Sequence, residues 1–258
     1  AFCALVQEKV VPLSPDAALQ CYHGVGHGAM DLTVSLANVQ ERKTEQELLE
    51  PALEFCRGAS GDEQQLYRCS SGVFNSLANF YVQSEFGLTV NWEDPLWICR
   101  NQPEEFQESC FGNMNTVLFW AAGGDFAQAA SWVRGMKEEQ AIPTIRYLAG
   151  LAALDVARSN FEEAVAMCGA LKDPLPLACI EGFAHGFLEH GVPDQEYKEA
   201  LEFCESPAME DGEREACLTY VLFGLSGWYS KERSYAICEE LPEEYRRYCA
   251  EARREFPE

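Results

Sequence analysis

The 258-residue chain is poor in positive charge: 19 Lys and Arg stand against 42 Asp and Glu, giving a formal net charge of −23 and a sequence pI near 4.5. A surface of that sign repels polyanions, which argues against a nucleic-acid backbone or an anionic bilayer as the main partner. Long hydrophobic runs are also missing. Stretches such as Thr116–Ala122 and Tyr220–Leu225 fall far short of the roughly 18 residues a membrane span requires. No charged-then-apolar leader precedes Ala1, so the chain is expected to be the mature part of a longer product. Strand-like alternation is hard to find.

Several catalytic signatures are absent as well. There is no phosphate loop and no dinucleotide glycine fingerprint, and Gly224-Leu-Ser226-Gly227 is one residue short of a nucleophile elbow. Cys-x-x-Cys occurs nowhere, nor does the close cysteine spacing of zinc-thiolate sites, so thioredoxin-type and structural-zinc chemistry are disfavoured. No reaction and no catalytic residue is identified. What is present is ample apolar material, 47% of the chain with 12% aromatic, which excludes wholesale disorder.

Twelve cysteines are distributed with a rhythm. Taken as neighbours they pair as Cys3 with Cys21, Cys56 with Cys69, Cys99 with Cys110, Cys168 with Cys179, Cys204 with Cys217, and Cys238 with Cys249. The separations are 18, 13, 11, 11, 13 and 11, which suit one local bridge across the turn of each helical hairpin. Six sequential disulfides are therefore expected, each worth about 3 kcal/mol on the chain-entropy model, in an oxidising compartment, periplasmic or extracellular.

The first cysteines of the later pairs lie at 56, 99, 168, 204 and 238, so the steps are 43, 69, 36 and 34. The step of 69 is about two repeats, which places a cysteine-free copy over Ala130–Val156 with its break at Ile142-Pro143. Each copy reads as a first helix ending in small and apolar residues, a turn, and a second helix with apolar residues at three-to-four spacing. The expectation is a single all-α domain of seven hairpins, near 1–40, 41–86, 87–123, 124–158, 159–191, 192–229 and 230–258. The hairpins would stack as an α/α solenoid or close into a toroid.

The first helices Asn160-Phe-Glu-Glu-Ala-Val-Ala-Met-Cys168 and Gln195-Glu-Tyr-Lys-Glu-Ala-Leu-Glu-Phe-Cys204 carry an alanine where tetratricopeptide and Sel1-like repeats carry one. The C-terminal half resembles those families, and in particular their secreted, cysteine-bridged members. The hairpin bridges here are wider than in those members, and the glycine-rich loop after the second helix is absent from most copies. The resemblance implies a scaffold that binds a peptide or a protein, and the acidic surface would favour a basic one.

All four histidines fall in or just beyond two copies of Cys-x-x-Gly-x-x-His-Gly: Cys21-Tyr-His23-Gly-Val-Gly-His27-Gly28, and Cys179-Ile-Glu181-Gly-Phe-Ala-His185-Gly186 with His190 following. On a helix, residues four apart share a face. The stripes read His23, His27, Asp31 in the first hairpin and Glu181, His185, Glu189 in the fifth, with a milder Ser71, Asn75, Asn79 in the second. These are divalent-metal ligand types, so His23, His27, Glu181 and His185 are candidate ligands of one Zn, Fe, Mn or Cu ion in a strongly curved or closed array. Asp31, Asn75, Glu189 and His190 are candidate lining residues. A metalloprotease helix is disfavoured because Gly24 stands where its general-base Glu belongs.

The competing reading gives the histidines hydrogen bonds at helix crossings, with Gly24, Gly28, Gly182 and Gly186 admitting close neighbours. Acidic pairs such as Glu104-Glu105, Glu239-Glu240 and Glu243-Glu244 are expected as helix caps and solvated faces. The five tryptophans are expected mainly in the core, with Phe119-Trp120 the best candidate for an aromatic ligand surface.

Overall fold

The computed structural model describes residues 2–9, 17–36, 44–155, 160–246 and 248–249, and among these it contains helices and no strand. Contacts divide the chain into two compact units, Ala1–Gly123 and Gly124–Glu258. The division falls at the end of the third expected hairpin. Gly123 and Gly124 both take positive φ, +62° and +85°, a left-handed conformation that side-chain-bearing residues enter only with strain.

The first unit holds α1 (Phe2–Lys9), α2 (Ala17–Leu36), α3 (Glu45–Ala59), α4 (Glu63–Gln83), α5 (Trp97–Arg100), α6 (Glu104–Asn113) and α7 (Asn115–Ala121). The second holds α8 (Phe126–Val133), α9 (Glu138–Ala152), α10 (Phe161–Gly169), α11 (Leu175–His190), α12 (Glu196–Cys204), α13 (Asp211–Trp228) and α14 (Lys231–Glu240). Several helix starts are written in the sequence. Thr44 and Glu47 form a reciprocal capping box on α3, and Asp62, Asp125 and Ser230 each accept a main-chain N–H at the start of α4, α8 and α14.

All six expected disulfides are present, no cysteine is free, and Cα–Cα distances run from 5.4 to 6.1 Å. Each bridge ties a first helix to the opening of the segment that follows the turn, and the four central bridges are fully buried. The cysteines thus serve as core residues and as clasps. Six such bonds place the chain in an oxidising, extracytoplasmic compartment, and among the described residues no helix is long and apolar enough to cross a membrane.

Within each unit the second helices lie side by side, α2 on α4 and α4 on α6, then α9 on α11 and α11 on α13. The first helices pack behind them, α3 against α2 and α4, and α12 against α11 and α13. Phe74, Phe106, Met30, Leu77 and Met114 are buried in the first unit. In the second, Phe161, Phe183, Phe187 and Phe203 form one aromatic cluster with ring centroids 5.2 to 6.5 Å apart.

Two expectations need correction. The cysteine-free copy exists as α8 and α9, but its turn lies at Arg134–Lys137 and α9 runs unbroken through Pro143. A proline there removes one main-chain hydrogen bond, and the buried face of α9, packed on α11, offsets that loss. The tryptophans are not core residues: Trp92, Trp97, Trp120 and Trp228 are exposed, and Trp92 and Trp120 pack on each other with centroids 5.1 Å apart. The acidic pairs serve as helix starts and solvated faces, as expected: Glu104-Glu105 opens α6, and Glu239-Glu240 lies exposed at the end of α14. Val156, the end of the cysteine-free copy, and residues 250–258 of the seventh hairpin lie outside the described residues.

Candidate functional site

In the first unit the site is built where α2 crosses α4, and glycine decides how closely. A Cβ on Gly26 would lie 2.9 Å from the Val73 nitrogen and nearer still to the Cys69 carbonyl oxygen. A Cβ on Gly72 would lie 3.0 Å from the His27 nitrogen and nearer still to the His23 carbonyl oxygen. The two bare positions let the backbones meet. Gly24 and Gly28, expected to do this, face outward, and a Cβ on either would meet nothing within 4 Å.

That crossing puts the imidazoles of His23 and His27 together at its edge. Their Nε2 atoms are 3.1 Å apart and the rings meet edge to face at 85° with centroids 4.7 Å apart. His27 Nδ1 is 2.7 Å from the Ser76 hydroxyl, one turn beyond Gly72 on α4. Burial, the His27 ring and the Arg68 guanidinium hold the His23 pKa below its ordinary value, while a hydrogen bond to the Arg68 main chain pulls the other way. Arg68, Gly72 and Ser76 thus all lie on the side of α4 that meets the histidine pair.

The remaining members of the expected stripe are elsewhere. Asp31 is exposed, because steps of four residues overshoot a 3.6-residue turn by about 40° each, and the third member rotates out of the face. The inward stripe of α2 is instead His23, Gly26, His27, Met30 and Val34, of which Gly26, Met30 and Val34 are buried. Ser71 accepts from Asn113 of α6 at 2.9 Å, and Asn75 accepts from Asn79 on its own helix at 3.4 Å. Ser76, not Asn75, is the α4 residue that meets His27.

The second unit repeats the construction with α9 and α11. A Cβ on Gly182 would run into the Arg146 carbonyl and the Ala149 methyl, and one on Gly186 into Gly150 and Ala153, so these two glycines do admit a close neighbour. Glu181 is held by the Arg146 guanidinium, with Nε at 3.0 Å, and that guanidinium stands 5.8 Å over the Tyr220 ring. His185 Nδ1 is 3.0 Å from the Tyr220 hydroxyl, its ring meets Trp228 edge to face at 5.1 Å, and its Nε2 is 3.7 Å from Glu189. His190 Nε2 is also 3.7 Å from Glu189. Burial lowers the His185 pKa and Arg146 and His190 add to that, against the opposing pull of Glu189. Burial raises the Tyr220 pKa.

Glu181 and His185 form one wall of an open cleft of about 700 Å³, whose other wall is α13 with Glu215, Tyr220, Phe223 and Trp228. Such a volume suits a small ligand or a few residues of a peptide. Sequence reasoning found the α11 side of this cleft but missed Arg146, Tyr220 and Trp228. The signal available for the last two was their presence on the second helix of the following hairpin, which stacking brings alongside α11.

The candidate metal ligands thus fall as a His23–His27 pair in one unit and a Glu181–His185 pair in the other. Among the described residues no group of three or more His, Cys, Asp and Glu is gathered to hold a metal ion. Comparison with protein-family models, curated proteins and solved structures finds no match to this chain.

Proposed function

We propose that this protein is a periplasmic or secreted, disulfide-stapled helical-repeat binding protein whose C-terminal unit holds a basic and partly apolar peptide segment. The observation that carries the reading is the cleft between α11 and α13, where Phe223 and Trp228 share the lining with the Glu215 carboxylate, beside a Glu181 and Tyr220 that already hold the Arg146 guanidinium. Aromatic faces and carboxylates together suit a cation on an apolar stem, by cation–π attraction and charge-assisted hydrogen bonding. Arg146, set between Glu181 and Tyr220, is an internal instance of that recognition. The net charge of −23 adds long-range attraction for a basic partner and speeds its encounter.

An array of short peptides that pairs Lys or Arg with Leu or Phe, compared with Asp- and Glu-containing counterparts, tests the reading directly. Basic–apolar peptides are expected to bind best, with affinity falling as salt rises. Trp228→Ala and Glu215→Gln should each weaken binding about tenfold, within the usual range for a buried aromatic or charged contact. Equal binding of acidic peptides, or no loss in either variant, would remove the cleft from consideration.

A further inference from the structure

The histidine pair of α2 plays no part in that cleft and has its own chemistry. We propose that His23 and His27 chelate one divalent transition-metal ion through their two Nε2 atoms, with Cu2+ bound tightest and the remaining coordination positions taken by water or an exogenous donor. The spacing supports this. Two metal–nitrogen bonds of about 2.05 Å place the nitrogens about 3.3 Å apart at a tetrahedral angle and about 2.9 Å apart in the cis positions of a square plane. The observed 3.1 Å lies between the two. A metal would require each lone pair to point about 35° to 45° off the nitrogen–nitrogen line.

The surroundings hold those rings for ligation. A metal-binding imidazole is neutral, and its second nitrogen is normally fixed by a hydrogen-bond partner that sets the tautomer. Ser76 is that partner for His27 at 2.7 Å. With Nδ1–H of His27 donating to Ser76, its Nε2 lone pair is turned toward His23. Gly26 and Gly72 keep α2 against α4, so that Ser76 is held beside the histidine pair. Both rings remain partly open to solvent, which gives an ion its path of entry. The Arg68 guanidinium opposes a cation, so the affinity comes from imidazole donation rather than from charge. Imidazole pairs follow the usual divalent order, in which Cu2+ exceeds Ni2+ and Zn2+.

The test is titration of the intact, disulfide-bonded chain, without an added histidine tag, with Cu2+, Ni2+ or Zn2+ alone. Binding is followed by competition with a calibrated chelator and by electron paramagnetic resonance of the Cu2+ form. One ion per chain with two imidazole nitrogens in the equatorial plane is the expected result. His23→Gln and His27→Gln should each weaken Cu2+ binding by more than tenfold, Ser76→Ala by about tenfold, and Arg68→Gln should tighten it. His185→Gln should leave it unchanged. The wild-type nitrogen count decides the matter even if a histidine variant fails to fold: one imidazole, or three, overturns the proposal. So do unchanged binding in a folded His23→Gln, His27→Gln double variant and equal loss in His185→Gln. None of these results depends on the peptide cleft, which is read by Trp228 and Glu215.

Discussion

Replacing Gly72 by alanine and, separately, Gly24 by alanine should move stability in opposite directions, although both glycines sit three residues after a cysteine inside a helix. Alanine is favoured over glycine in a helix interior by about 1 kcal/mol. At Gly24 the new methyl meets nothing within 4 Å, so that preference appears as a gain of about 0.5 to 1 kcal/mol. At Gly72 the methyl would lie 3.0 Å from the His27 nitrogen and nearer still to the His23 carbonyl oxygen. Both are main-chain atoms of α2 and cannot rotate aside. The helices must separate along the most extensive packing contact of the unit, an overpacking that costs about 3 kcal/mol. The helix preference returns about 1, leaving a net loss of about 2 kcal/mol. Urea unfolding with intact disulfides, followed by far-UV circular dichroism, reads this as a lower midpoint for Gly72→Ala and a higher one for Gly24→Ala, at constant slope. Equal midpoints, or a stabilised Gly72→Ala, would refute the claim that bare backbone contact sets the α2–α4 spacing.

Titration of the denatured, unreduced protein with a thiol reagent should find no free cysteine among the twelve, and finding even four would overturn the clasp arrangement. Changing Cys204 and Cys217 together to alanine opens a buried bridge of separation 13 and should lower stability by about 3 kcal/mol in denaturant unfolding. His185 has a folded-state pKa below its ordinary value, so the unfolded chain takes up its proton first as pH falls. Its contribution is complete above about pH 6.5 and is lost as pH drops toward the lowered value; His185→Gln should flatten that part of the stability profile, and an unchanged slope would speak against burial as the cause. Arg146→Ala should cost more than Glu181→Gln, since it leaves the half-buried Glu181 carboxylate without its guanidinium; equal losses in thermal unfolding would count against that pair.

The all-α class, the cysteine pairing and the cysteine-free copy were legible because each rests on local signals. An 11-to-13-residue separation closes across a turn whatever the rest of the chain does. The break in the fourth hairpin was misplaced because Pro143 carries a strong local signal, while the tertiary support of α9 that overrides it is a contact with α11. Tryptophan burial was misjudged because composition reports hydrophobicity but not which face a helix turns to solvent.

The site divides in the same way. His23 and His27 were recognisable as neighbours, since one helix fixes positions four apart, but whether Asp31 shares their face depends on how the 3.6-residue turn of α2 sits against α4. Ser76, and the Arg146, Tyr220 and Trp228 that surround Glu181 and His185, belong to other helices, and their approach depends on which glycines touch a neighbour. The sequence by itself determined the helices, their clasps and their oxidising compartment, because these follow from periodicity and short loops. Only the tertiary structure decided that Gly26 and Gly72, rather than Gly24 and Gly28, admit a neighbouring backbone, because close approach is a property of two helices and is encoded in neither alone.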